Sequence, residues 1–251
     1  PRLPGTEARI LEHLASIHVK NHNFDRAIAH YEEALEVAGS VRDLSRMGRT
    51  YHGLSIAYQE RGDLSRAVEF THKALALYSL EHDTALLARG ENELGLLLMR
   101  QGKMERAEEA FHAAIGHFDE SATEQAKSHV LLSLAELQLQ TGRLKEAGET
   151  VHEAVELATR LDEKLALSTA HQMLGQVFER EGKHRLADRE FEAAIRLLDG
   201  EGAAQRLAES HAAFAEVLEA RGQAALARKH WKEAANLALE REAGSRRLKA
   251  L

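Results

Sequence analysis

Arginine recurs at Arg9, Arg49 and Arg89, forty residues apart, and the same interval continues through His129, Thr169 and Glu209. If each position opens on one face of successive helices about 10 Å apart, the result is a row of guanidinium groups, which suits carboxylates or phosphates along an extended ligand. Fifteen histidines raise the question of a metal. His18 and His22 stand four apart, where two imidazoles can meet one ion, but no third ligand accompanies them. His72, His112 and His152 share one column, and about 10 Å between helices is too far for shared coordination at about 2 Å. These side chains are read as solvated surface groups whose protonation below about pH 6.5 changes the net charge. The chain has no phosphate-cradling glycine loop, no HExxH helix and no nucleophile motif. No catalytic residue, cofactor or metal is therefore expected, and the chain is read as not an enzyme.

The elements that must position these residues follow from the same interval. Alanine occupies Ala27, Ala67, Ala107, Ala147, Ala187 and Ala227, and again Ala34, Ala74, Ala114, Ala154, Ala194 and Ala234. Between the two columns lies Tyr31, Thr71, Phe111, Val151, Phe191 or Trp231, and five residues before the first column lies His22, Gly62, Gly102, Gly142, Gly182 or Gly222. Thirteen residues before it come Leu14, Leu54, Leu94, Leu134, Leu174 and Phe214. A glycine that ends one helix in the left-handed region, followed by apolar positions at helical spacing, describes a helical hairpin. One hairpin cannot bury its own apolar face, so neighbours must stack into a solenoid.

These positions closely resemble the tetratricopeptide (TPR) family, as Leu94-Gly95, Gly102, Ala107, Phe111 and Ala114 illustrate. The resemblance implies an all-α, right-handed solenoid of six TPR hairpins over residues 7–42, 43–82, 83–122, 123–162, 163–202 and 203–242, with 243–251 as a cap or tail. The first hairpin is expected to pair helices at 7–21 and 24–38 after a short lead-in, with Gly244 stopping the last helix. Asp43, Asp83 and Thr123 are expected N-caps, and Asp199–Gly202 is the most loop-like junction. The chain departs from the family in its period, forty rather than 34 residues, in lacking the late proline, and at the tryptophan-type position, here Leu11, Tyr51, Glu91, Leu131, His171 and His211. The long period is similar to bacterial regulators of the Rap, PlcR and NprR type and to eukaryotic LGN adaptors.

In TPR arrays the first helix of each pair lines a concave groove, and the resemblance places fourteen residues there. The basic part comprises Arg9, Arg49, His52, Arg89 and Arg100, with Lys20 nearby and the neutral Asn92 among them. Ile56, Leu96, Met99, Leu132, Leu139 and Met173 form an expected exposed apolar strip. Glu136 and Gln176 follow, with Glu179, Glu216 and Glu219 making the far end acidic. The two-carboxylate clamp of chaperone-tail binders is missing: its positions hold Glu12, Ser16 and Gly53 in one register and His52, Ile56 and Glu93 in the next. The LGN asparagine ladder is missing too, since that column reads Ser16, Ile56, Leu96, Glu136, Gln176 and Glu216.

Composition narrows the partner class. The chain has 251 residues, a formal net charge of -7 and no cysteine, which disfavours direct nucleic-acid binding and excludes disulfides and thiolate sites. No apolar run approaches the roughly 20 residues that span a bilayer. A cytoplasmic location without membrane contact is the expectation. Both prolines fall within the first four residues, and Ile10, Leu11, Leu14 and Ile17 give the first helix an apolar face suited to a preceding element, so the chain is read as part of a longer protein. Leu226, Trp231, Ala234 and Leu237 on the last helix are compatible with a homodimer. The functional expectation is a noncatalytic peptide- or protein-binding domain, the sensing and dimerisation part of a bacterial helix-turn-helix transcription regulator. A free-standing scaffold and a Rap-like regulator of a response-regulator partner are the alternatives.

Overall fold

The computed structural model describes residues 4–121, 124–198 and 203–249. Twelve helices lie among them: α1 (Pro4–Lys20), α2 (Phe24–Ser40), α3 (Leu44–Arg61), α4 (Leu64–Leu80), α5 (Thr84–Arg100), α6 (Met104–Ser121), α7 (Glu124–Gln140), α8 (Leu144–Arg160), α9 (Lys164–Arg180), α10 (His184–Leu197), α11 (Ala204–Ala220) and α12 (Ala224–Lys249). They form the six expected hairpins, with no strand among the described residues. By internal contacts the helices group into two compact units, Pro1–Ser133 and Leu134–Leu251, whose boundary falls within α7.

Within each hairpin the turn is fixed by backbone chirality. Gly62 has φ 92°, and Gly102, Gly142, Gly182 and Gly222 lie between 74° and 78°, where a Cβ costs energy and glycine has none. His22 takes the same place at φ 58°. Between hairpins the left-handed residue is not glycine: it is Arg42, His82 or Asp162, at φ 53–54°. The aspartates after the first two cap the next helix, Asp43 Oδ1 accepting from the Arg46 amide at 3.0 Å and Asp83 Oδ1 from the Leu86 amide at 3.0 Å. Thr123 and Asp199–Gly202 lie outside the described residues.

Two boundaries differ from expectation. The first helix begins at Pro4, not near residue 7, because proline at the first helical position gives up only an amide that would have no intrahelical partner. The last helix passes through Gly244 and continues to Lys249, since an interior glycine weakens a helix without forbidding it.

Packing follows matched sizes across each hairpin. Five of the first-column alanines, from Ala27 to Ala187, are fully buried. Opposite the large residue sits a small one. A Cβ on Gly95 would lie 2.5 Å from Phe111, and one on Gly175 would lie 2.8 Å from Phe191. In the second hairpin, Ser55 and Thr71 share a 2.7 Å hydrogen bond instead. In the first unit Ile28, Tyr31, Leu54, Tyr58 and Leu97 belong to one cluster; in the second, Phe191, Phe214 and Leu218 do. Ion pairs tie neighbouring hairpins together. In the first unit Glu12 of α1 accepts from Arg46 at 2.9 Å and from the Thr50 hydroxyl at 2.7 Å, both on α3. In the second, Arg221, 8 % exposed, donates to Glu179 on α9 and to Asp188 on α10.

Candidate functional site

Gly48 and Gly90 carve an enclosed site in the first unit. A Cβ on Gly48 would lie 2.7 Å from Cε1 of Tyr78, and one on Gly90 would lie 2.7 Å from Leu75 and 3.9 Å from Tyr78. The missing side chains let the Tyr78 ring, in the last turn of α4, slot between α3 and α5 until it is 2 % exposed. Over it opens a cavity of about 190 Å3 lined by Arg49, His52, Tyr78, Leu86, Arg89 and Gly90.

The electrostatics of this cavity are one-sided. Arg49 and Arg89 are exposed, and neither has an ion-pair partner among the described residues. Burial pushes the Tyr78 phenol up to about 12, although the two guanidiniums pull against that rise, so the hydroxyl stays a proton donor. Burial lowers the His52 pKa, and Arg89 lowers it further; the imidazole is neutral at neutral pH. The cavity therefore offers two permanent cations and neutral polar groups, a setting for an anion rather than for proton transfer.

The remaining expected groove residues divide by unit and by burial. Arg9 and His129, the other cationic members of the column in the first unit, are exposed. Ile56, Leu96 and Met99 are half-buried, and Arg100 is exposed with Nη1 3.3 Å from the oxygen of the Gln59 amide, whose nitrogen donates to Glu93. Burial raises the Glu93 pKa, which Arg100 partly offsets. Asn92 is half-buried, and its Oδ1 is enclosed without a hydrogen-bond partner.

The apolar strip requires correction. Leu132 is 7 % exposed, Leu139 3 % and Met173 7 %, so these three belong to the core. For Met173 the physical reason appears at its repeat position: Gly53 there faces Tyr31 so closely that its Cβ would lie 2.5 Å away. The acidic end is also smaller than expected, because Glu179 is committed to Arg221 and His184. Glu136 is exposed and accepts from Gln140, Gln176 is half-buried, and Glu216 is exposed. The expected face of the first helix narrows as well: Ile10, Leu14 and Ile17 are exposed at 54 %, 39 % and 53 %, but Leu11 is buried. His18 is not a simple surface group, since its ring stacks on His30 at 5.4 Å and its Nδ1 is enclosed. Among the described residues no three His, Asp or Glu side chains are placed to hold a metal, and no helix is long and apolar enough to cross a membrane.

Tyr78, Leu86 and Gly90 were missed from the sequence. Their signal was present in the glycines at 48 and 90, which break the size pattern of their helices opposite an aromatic.

A family model described as tetratricopeptide repeat matches residues 6–79 and 124–199, more than half of the chain. No curated protein matches by sequence. Among solved structures the chain resembles BtubC (BKLC) from P. vanneervenii, with TM-score 0.74 and 20 % identity over 87 % of this chain and 92 % of that one. It also resembles aspartyl phosphate phosphatase F from Bacillus subtilis, with TM-score 0.75 and 13 % identity over 95 % of this chain and 61 % of that one. A third is a Rap protein in complex with competence and sporulation factor, with TM-score 0.69 and 14 % identity over 94 % and 64 %.

Proposed function

Because this chain belongs to the tetratricopeptide repeat family, whose fold is a protein-interaction scaffold, we propose that it is a noncatalytic domain that binds an acidic peptide or protein segment. The segment lies across the odd-numbered helices of the first unit. The observation that carries this reading is the pair of unpartnered guanidiniums, Arg49 and Arg89, above the Tyr78 cavity. Arginine without an internal carboxylate, at the rim of a cavity, is positioned for charge-assisted hydrogen bonds to a carboxylate from outside. Arg9, at the same repeat position, extends the cationic row along α1.

The finer reading is that the chain is the ligand-sensing and dimerisation part of a bacterial transcription regulator; the fold likeness to a Rap protein in complex with competence and sporulation factor bears on ligand binding alone. The ligand would act by stabilising one conformation of the array over another, by no more than its difference in affinity for the two.

The test uses synthetic decapeptides, one set rich in Asp and Glu and a matched set in which these are Lys, titrated calorimetrically. The acidic set should bind, and Arg49→Glu with Arg89→Glu should weaken it more than tenfold. Unchanged affinity in that double variant would remove the site. Light scattering over a wide concentration range tests dimerisation separately, and a monomer throughout would remove that part.

A further inference from the structure

Gly148 stands inside α8 without a packing reason. Glycines 95 and 175 are required by aromatic rings at 2.5–2.8 Å, whereas a Cβ on Gly148 would meet only Cγ1 of Val177, at an ordinary 3.8 Å. The equivalent residue in the first hairpin is Ile28, 7 % exposed, so the position is one that a large side chain can fill. Its absence opens a groove of about 510 Å3 between α8 and α9.

Leu174 and Val177, 5 % and 3 % exposed, close the bottom of the groove, and half-buried Leu144 and Phe178 leave the apolar surface that is still accessible. The rim is acidic. Glu149 is 3.8 Å from Lys145 and Glu181 2.9 Å from Lys183, so both rim lysines already face carboxylates. Glu156, exposed on the same helix, adds a further negative charge, and Glu153 lines the rim one turn before it. His152 is turned back, its Nδ1 donating to the Gly148 carbonyl at 2.6 Å, which keeps the imidazole off the floor.

We propose that the α8–α9 groove docks a lysine- or arginine-bearing amphipathic helix of a partner protein. An aliphatic side chain of that helix enters over Gly148, and its basic residues meet Glu153 and Glu156. Leu144 and Phe178 supply burial and the rim supplies register, the division of labour that helix-in-groove recognition uses. The partner is chemically opposite to the acidic ligand assigned to the first unit, and the proposal stands whether or not that ligand exists.

The probe is a fluorescein-labelled 15-residue helical peptide with leucines four apart flanked by lysines, read by anisotropy beside a copy in which glutamate replaces each lysine. In the Arg49→Gln, Arg89→Gln background, which removes the cationic row of the first unit, the lysine peptide should bind the whole chain and the glutamate copy at least tenfold more weakly. Gly148→Leu should lower binding at least tenfold by filling the groove. Glu153→Lys with Glu156→Lys, both exposed on the rim, should reverse the preference between the peptides while circular dichroism shows the helices retained. Arg49→Gln with Arg89→Gln should leave the affinity for the lysine peptide unchanged. Equal binding of the two peptides, an unaffected charge-reversed variant, or no binding at millimolar peptide would overturn the proposal. Self-association of the chain that Gly148→Leu abolishes would give the groove to a second copy and overturn it likewise.

Discussion

The same substitution, glycine to alanine inside a helix, should change stability in opposite directions at positions 48 and 148. Alanine gains about 1 kcal/mol over glycine in a helix interior, mostly by narrowing the unfolded ensemble. At Gly148 nothing opposes that gain, because the new Cβ meets Val177 at 3.8 Å, within the ordinary contact range. At Gly48 the new Cβ would lie 2.7 Å from Cε1 and 3.0 Å from Cδ1 of Tyr78, a ring only 2 % exposed. Carbon pairs settle at about 3.5–4.0 Å, so the ring or the helix must shift by most of an ångström. Overpacking of that kind costs about 1–3 kcal/mol. The net expectation is about 0.5–1 kcal/mol of stabilisation for Gly148→Ala and up to about 2 kcal/mol of destabilisation, centred on about 1 kcal/mol, for Gly48→Ala. Urea titration reads both. With a slope of roughly 1–3 kcal/mol per molar, the midpoints should move by a few tenths of a molar in opposite directions. Trp231, the single tryptophan, reports the second unit by fluorescence, and circular dichroism reports all helices. A stabilised Gly48→Ala variant would mean that Tyr78 is not wedged as described, and a destabilised Gly148→Ala variant would mean that the α8–α9 groove is not open.

Other measurements follow from the charges. His52 should titrate below its ordinary value by NMR, and Arg89→Gln should raise it part of the way, since the guanidinium adds to the effect of burial. A folded-state pKa below the unfolded one means the unfolded chain binds the proton first, so His52 should reduce stability as pH falls below about 6.5; a titration above that value would refute the account. Arg221→Met should destabilise the second unit by about 2–3 kcal/mol, because it strands the carboxylates of Glu179 and Asp188, and an unchanged melting curve would contradict it. The hydrogen bond from Arg221, with a second from His184, holds the Glu179 pKa below its usual range. Its contribution is therefore present above about pH 4.5 and is lost as pH falls through the lowered folded value; thermal melts from pH 7 to 3 should show the difference between wild type and Arg221→Met shrinking in that window.

The hairpins were legible because each alanine and glycine column answers a local demand. Close helix approach admits only a small side chain, and a left-handed turn favours glycine, so both leave a residue type at a fixed interval. Arg9, Arg49 and Arg89 were legible only as a fixed interval, and all three are exposed. What the spacing did not convey was depth. Leu132 occupies the repeat position of His52 and Asn92, both half-buried, and a leucine there completes the core where a polar residue lines an opening. Met173 sits where Gly53 meets Tyr31, a position closed by a neighbouring helix. Leu14 departs the other way: its column partners from Leu54 to Phe214 are at most 6 % exposed, while Leu14 is 39 % exposed. Tyr78 was unreadable as a site residue because the second helix of a pair supplies it, and only the two glycines that receive its ring betray it.

Matched sizes inside each hairpin also bear on how such a chain can grow. Ser55 with Thr71, Gly95 with Phe111 and Gly175 with Phe191 are each complete within one forty-residue segment. A duplication or loss of a whole segment carries lock and key together, whereas a crossover inside a hairpin would set a phenylalanine against a serine. The joints between hairpins are less free, since Tyr31 needs Gly53 and Leu75 needs Gly90 from the next segment. The first three segments are thus bound to their order by two aromatic or aliphatic fits, and shuffling them would fail at the seams before it failed within the repeats.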